Sequence, residues 1–289
     1  TASSTAAPSA TLAIALASWQ LPAPRSRAVA LPSDHAMLLI GGLDAGQSST
    51  ARVWHIALPG GTTTRLAVLP QAVHDAAGAE LGGAAYVFGG GEATTIATVQ
   101  RYQAGSADVA GQMPQSRSDL VAAAIGGTAY VLGGFDGTNG VPDVLATTDG
   151  TTFRTAGRLA ETVRYPALAV IGGRIYLFGG EHDGNNITSV QMFDPATGAV
   201  SVVAQLPEPL AHASAVVLDG QVLLIGGRSH GRILDTVMRF DPATGHVEQV
   251  GRLPYAVADA GAAVVDGVAY VVGGETPGVV ASAITLRHV

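Results

Sequence analysis

The sequence predicts an all-β fold, a six-bladed β-propeller of four-stranded antiparallel blades, and three observations carry that prediction. Six Gly-Gly doublets recur, at Gly41-Gly42, Gly89-Gly90, Gly133-Gly134, Gly179-Gly180, Gly226-Gly227 and Gly273-Gly274, with first glycines 48, 44, 46, 47 and 47 residues apart. Repeats of this length mark propellers and solenoids. Each doublet ends a short apolar run, as at 37–40, 85–88, 175–178 and 269–272. Leu-Pro or Met-Pro pairs recur at the same spacing: Leu21-Pro22, Leu69-Pro70, Met113-Pro114, Leu206-Pro207 and Leu253-Pro254, with Leu159-Ala160 in the remaining place.

The elements follow in order. Residues 1–10, TASSTAAPSA, are small, polar and uncharged. They cannot bury enough apolar surface to order themselves, so a flexible linker is expected there. Residues 11–21 read as a fourth strand without a preceding blade. The type blade lies at 211–254. Its strand A is 212–218, Asp219-Gly220 is a tight hairpin turn, and strand B is 221–225. Strand C alternates over 235–240. Asp241-Pro-Ala-Thr-Gly245 then turns into strand D at 246–253, because Asp caps the turn, Pro presets φ and Gly accepts a positive φ. Four such strands per repeat make one blade. The blades run approximately 22–70, 71–114, 115–159, 160–207, 208–254 and 255–289. The last lacks a strand D, so 11–21 is expected to complete it and close the ring, removing two exposed sheet edges.

Composition narrows function by exclusion. All 15 basic residues are Arg and the net charge is −7, which argues against a nucleic-acid partner. With no Cys there is no disulfide, thiol nucleophile or thiolate metal site. No run reaches the ~20 apolar residues of a membrane span. The Ala, Gly and Val richness suggests a GC-rich, bacterial genome. A chain that starts at Thr1 with such a linker is expected to follow a signal peptide, lipid anchor or membrane helix, placing the domain outside the cytoplasm as a monomer.

The Tyr-x-x-Gly-Gly ends at Tyr86, Tyr130, Tyr176 and Tyr270, the Asp136-Gly137 after Phe135, and the Phe-Asp-Pro turns at Phe193 and Phe240 resemble those of Kelch β-propellers. The resemblance covers 11–289. It departs from that family in strand D, where a Trp is usual and Trp19 alone keeps it. Kelch domains are mostly binding scaffolds, with copper galactose oxidases and sialic acid mutarotases among the enzymes.

The A–B turns are nearly uniform, whereas the opposite face, with its D–A and B–C connections, varies in length and polarity. Variable loops on a rigid scaffold are where binding sits. Fourteen residues before each first glycine stand Arg27, Asp75, Asp119, Tyr165, His212 and Asp259, each followed by a small apolar strand A. The resemblance implies that this set lines the central pocket. It implies the same of the residues after each doublet: Leu43, Glu92 (behind an extra Gly91), Phe135, Glu181, Arg228 and Glu275. The expected ligand is small, polar and sugar-like, or a peptide or protein, with Arg27 and Arg228 recognising any carboxylate.

Weaker readings stand beside this one. The polar ring is also explained as a solvated channel mouth in which Arg27 pairs Asp75 or Asp259. Asp75, Asp119, Asp259 and His212 are oxygen and imidazole ligands for a cation, as is the Glu181-His182-Asp183 cluster, but no dense ligand motif exists and no cofactor is expected. Asn186-Ile187-Thr188 matches a glycosylation acceptor of a kind that arises by chance. A copper site of the galactose oxidase kind needs the absent Cys. No catalytic residue is assigned; the enzymatic alternative is a sugar mutarotase or isomerase using the mouth carboxylates, and a further one is a sensor domain of a larger membrane protein.

Overall fold

A computed structural model describes residues 11–289. The proposed linker at 1–10 lies outside the described residues. Six four-stranded antiparallel sheets form the blades of a closed ring. Counting strands A to D outward from the axis, the first blade is Val29–Ser33, Ala36–Ile40, Thr50–Ala57 and Thr62–Val73. The fifth is Ser214–Leu218, Gln221–Ile225, Thr236–Phe240 and Val247–Arg252. In the sixth blade Gly261–Val265, Val268–Val272 and Ser282–His288 are followed by the N-terminal strand Leu12–Gln20. That strand pairs Ala13 with Arg287 and Gln20 with Ser282, so the ring closes as the repeat arithmetic requires.

The core is six wedges, one between each pair of neighbouring blades. Between the third and fourth, for example, Tyr130, Leu132 and Val144 pack on Ile175, Leu177 and Phe193. The Tyr residues that precede the doublets are buried in these wedges. At roughly 25 cal/mol per Å² of apolar area removed from water, the wedges supply the main driving force for closing the ring. Trp19 lies against Tyr270 at 6.4 Å between ring centres, and its Nε1 donates to the Pro59 carbonyl at 2.8 Å.

The glycine doublets have a physical reason at this packing. Both glycines of Gly179-Gly180 have positive φ, +58° and +103°. A Cβ on Gly179 would sit 2.0 Å from the Leu210 carbonyl oxygen at the start of the next blade. The N–H of Gly180 donates to that same oxygen at 2.8 Å. Each doublet therefore stitches one blade to the next through backbone contact that leaves no room for a side chain.

The structure adds a feature the repeat did not predict. Every C–D pair carries a register shift, as between Val99 and Gln100, Val190 and Gln191, and Val237 and Met238. Such a bulge increases local twist, which suits an outer strand splayed from a crowded axis. Short two-residue hairpins also occur in three B–C loops, at Glu181–His182 with Asn185–Asn186, Arg228–Ser229 with Arg232–Ile233, and Glu275–Thr276 with Gly278–Val279.

Candidate functional site

The D–A connections bring all six of the residues found by counting back from the doublets to one end of the axis. Arg27, Asp75, Asp119, Tyr165, His212 and Asp259 all have positive φ, between 51° and 61°. They are joined by a cyclic chain of backbone hydrogen bonds. Asp75 N–H donates to Arg27 C=O, Asp119 to Asp75, Tyr165 to Asp119, His212 to Tyr165, Asp259 to His212, and Arg27 back to Asp259, at 2.8–3.3 Å. The left-handed conformation turns each N–H and C=O along the circumference, and it costs about 1–2 kcal/mol for each residue bearing a Cβ.

The six side chains surround a cavity of about 120 Å³, floored by Ala28, Ala76, Leu120, Pro166, Ala213 and Ala260. Below it the channel widens between the inner strands to about 290 Å³, walled by small residues such as Ala30, Gly78, Ala122, Ala215 and Ala262. The side chains also cross the mouth. Arg27 of the first blade lies 5.8 Å from the ring centre of Tyr165 in the fourth, diametrically opposite. The Tyr165 hydroxyl donates to Asp75 Oδ2 at 3.4 Å, and its ring stacks on His212 at 4.0 Å.

Ion pairs knit this layer to the residues that follow the doublets. Asp259 Oδ1 accepts from His212 Nδ1 at 2.6 Å, and its Oδ2 from Arg228 at 3.4 Å. Glu275 accepts from Arg27 Nε at 3.0 Å, Arg228 at 2.6 Å and Ser26 Oγ at 3.1 Å. His212 Nε2 meets Glu181 at 3.3 Å. Arg27 donates to Asp75 Oδ2 at 3.2 Å, so the pairing expected for Arg27 is present.

Burial sets the electrostatics. Loss of water pushes the Asp75 carboxyl up to about 7; Arg27 opposes the rise, and Asp119 and Asp259 add to it. Burial alone would discharge His212, but its hydrogen bonds to Asp259 and Glu181 prevail and push it up to about 9. Burial also tends to protonate Asp259, yet His212, Arg27 and Arg228 hold it below the usual carboxylate range. His212 holds Glu181 low in the same way. Burial and the nearby Asp75 and Asp119 raise Tyr165 far above the ordinary phenol, so its hydroxyl stays protonated. The mouth is therefore a set of charged partners that balance one another in a desolvated space.

None of the second predicted set lines the cavity itself, and its members are distributed unequally around it. Glu181, Arg228 and Glu275 buttress the ring as described. Phe135 lies under a guanidinium, and Leu43 is buried in the core. Glu92 is exposed on its B–C loop and does not line the cavity. Asn186 turns its amide inward, donating to the Arg228 carbonyl at 3.0 Å, so the glycosylation tripeptide is engaged within the fold. Among the described residues no three His, Asp or Glu side chains converge to hold a metal, including those of the Glu181-His182-Asp183 cluster.

One mouth residue was missed. Arg164 donates from Nε to Asp119 Oδ2 at 2.7 Å, with its guanidinium 4.2 Å from the Phe135 ring centre and 5.4 Å from that of Tyr165. The signal for it exists: the residue just before each ring position bridges to the segment after the doublet, as Ser26 does to Leu43 and Arg164 to Glu181. Counting 15 residues back from Gly179, rather than 14, reaches Arg164.

Residues 163–207 and 209–254 match the Kelch motif. A solved structure described as that of YjhT resembles this chain with a TM-score of 0.81, covering 93% of this chain and 99% of that one at 16% identity. At that identity the likeness establishes the fold. No curated protein matches the chain.

Proposed function

We propose that this chain, a Kelch-repeat six-bladed β-propeller, is a binding module that takes a small polar ligand at the D–A end of its central channel. One observation carries the reading. Six positions that force a positive φ hold Arg, Asp, Tyr and His where glycine would be least strained. Strain kept at polar side chains around one cavity is the mark of a site. The linker-like 1–10 segment favours a secreted or surface-tethered setting. The test is a thermal-shift screen of the full chain against soluble metabolites and short peptides. Every hit is repeated on Tyr165→Ala and Asp75→Asn. Hits that persist unchanged in both variants would place binding elsewhere and end the proposal.

A second reading, a sugar mutarotase or isomerase, is favoured by one contact chain. Asp75, poised to exchange a proton near neutrality, touches Tyr165, which stacks on the protonated His212. A base and an acid facing one cavity are what opening and reclosing a hemiacetal require. Proton NMR of freshly dissolved monosaccharide anomers measures this directly. Interconversion at the buffer rate in the presence of the protein would rule it out.

A further inference from the structure

Every cation at the mouth already has a carboxylate. Arg27 and Arg228 share Glu275, Arg164 holds Asp119, and His212 lies between Asp259 and Glu181. With Asp75, five carboxylates face four cations. An anionic ligand would add charge to this set without an unpaired cation to receive it. It would also have to draw an Arg away from a carboxylate whose side chain is 3–8% exposed, leaving that charge desolvated and alone. An ammonium group would find one carboxylate in excess, but it would lie beside Arg27 and the charged His212, which line the same cavity.

What the mouth does offer is acceptor capacity. The hydrogen bonds of Asp75, from Arg27 and Tyr165, both fall on Oδ2, and so do those of Asp119 from Arg164. Both side chains are more than nine-tenths buried and both line the cavity. Among the described residues neither Oδ1 receives a hydrogen bond, and neither is a fully enclosed orphan atom, so both oxygens keep some access to solvent. They stand on adjacent blades tied by the Asp119 N–H to Asp75 C=O bond of 2.9 Å. A carboxylate oxygen accepts and does not donate. The cavity, about 120 Å³, has room for several water molecules. A ligand displaces such waters without loss when its own hydroxyls reproduce their bonds.

We infer that the ligand of the mouth is an uncharged molecule with neighbouring hydroxyl groups, a neutral sugar or polyol, donating to Oδ1 of Asp75 and Oδ1 of Asp119. This rests on the mouth being a binding site, as proposed above. Specificity against charged relatives then comes from the closed ion-pair set rather than from shape. A site that bonds hydroxyls through buried acceptors also discriminates strongly against deoxy analogues, because the acceptors are left unmet.

The experiment holds the scaffold constant and varies the charge. Glucose, galactose and mannose, each with its uronate and its 2-amino-2-deoxy relative, are titrated at pH 7.5 into the full chain by calorimetry and saturation-transfer NMR. At least one neutral hexose is expected to bind, at least about tenfold more tightly than its uronate and its amine. Asp119→Asn leaves Arg164 without its carboxylate, so in that variant the uronate should gain at least about tenfold relative to the neutral hexose. Asp75→Asn, which leaves Arg164 paired, serves as the second variant should Asp119→Asn not fold. It should weaken the neutral hexose while keeping it ahead of the amine. A uronate or amine that binds as well as the neutral sugar overturns the inference, and so does failure of all three neutral hexoses. A non-sugar ligand from the broader screen that is lost in Asp75→Asn would overturn this inference while leaving the mouth as a binding site. A full set of hits indifferent to mouth substitutions would remove both.

Discussion

The two ends of the channel pose the same backbone problem and solve it differently. At the A–B turns, glycines such as Gly82 and Gly83, Gly126 and Gly127, and Gly172 and Gly173 take φ of 56–76°. A Cβ added at any of them would meet nothing within 4 Å. These glycines are there for conformation alone. At the mouth the six ring residues take φ of 51–61°, yet every one keeps a polar side chain. Asp and His tolerate this region better than most residues, so Arg27 and Tyr165 carry the largest strain. The A–B turns place a non-glycine at positive φ in three blades only, at His35, Asp219 and Asp266, whereas the mouth does so in all six, and that uniformity is what points to the mouth.

Four experiments would break or sharpen that contrast. The largest effect should come from removing residues 1–20, which disrupts both ends at once. Ser282–His288 would become an edge strand, and the wedges around the wholly buried Ile284 and Leu286 would open. A fall in melting temperature of more than about 10 °C is expected, or failure to fold. A change within about 2 °C would mean that the ring does not depend on its closing strand.

Next is Asp259→Ala. It strips a carboxylate from His212, Arg27 and Arg228, inside a site where Asp259 is 4% exposed. Breaking a buried pair in this way costs about 3–5 kcal/mol. Urea unfolding measures it, and a loss under about 1 kcal/mol would show that the mouth is better solvated than its geometry implies.

The third concerns pH. His212 is raised from 6.5 to about 9, so its stabilisation is complete below pH 6.5 and is lost as pH rises through 9. Asp75, raised from 3.8 to about 7, acts in the same direction: it favours the folded state while protonated and opposes it as pH rises from about 4 through 7. Asp259 and Glu181 are held low and act oppositely, stabilising above their ordinary values near 4 and failing as acid lowers pH through their folded ones. Between pH 6 and 9.5 the wild type should lose about 3 kcal/mol more than His212→Gln, from the raised imidazole alone. Denaturant midpoints at the two pH values give the difference, and parallel curves would remove His212 from the charged network.

The smallest effect belongs to the other end. Gly173→Ala meets no steric neighbour, so it should cost about 1 kcal/mol, the penalty of φ = +73° by itself. A cost above about 3 kcal/mol would mean that the A–B turns are packed rather than free, and the contrast between the two ends would fall.

Much of this was legible in the chain. The glycine spacing and the Leu-Pro ends marked six blades, and the missing last strand pointed to closure by the N terminus, because each repeat is one supersecondary unit that writes its own turns locally. Counting back from the doublets reached all six ring residues. What escaped was everything that depends on side-chain direction across blades. Arg164 lies one position from the counted set, and only its reach over Phe135 and Tyr165 brings it into the mouth. Glu92 sits at an equivalent sequence position, yet the extra Gly91 and an exposed loop leave it outside the ion pairs that Glu181, Arg228 and Glu275 make with the ring. Arg25 and Arg117 stand where other repeats have Val or Leu, and both are buried, the latter donating to the Asp143 carbonyl at 2.7 Å. Nothing in a periodicity argument anticipates a guanidinium in that seam.

By itself, then, the sequence determined the number of blades, the turns, the closing strand and the identity of six residues around the axis. These follow from local chemistry repeated at a fixed interval: hairpin turns, apolar runs and positive-φ glycines each act within a few residues. The tertiary structure decided the rest. It decided that the six residues share a ring of backbone hydrogen bonds, and that Arg27 and Tyr165 meet across the mouth from opposite blades. It also decided that each mouth cation finds a carboxylate from another loop. Those outcomes depend on distances between residues 31 to 248 positions apart in the chain. Such distances exist only once the ring has closed and water has been driven from its axis.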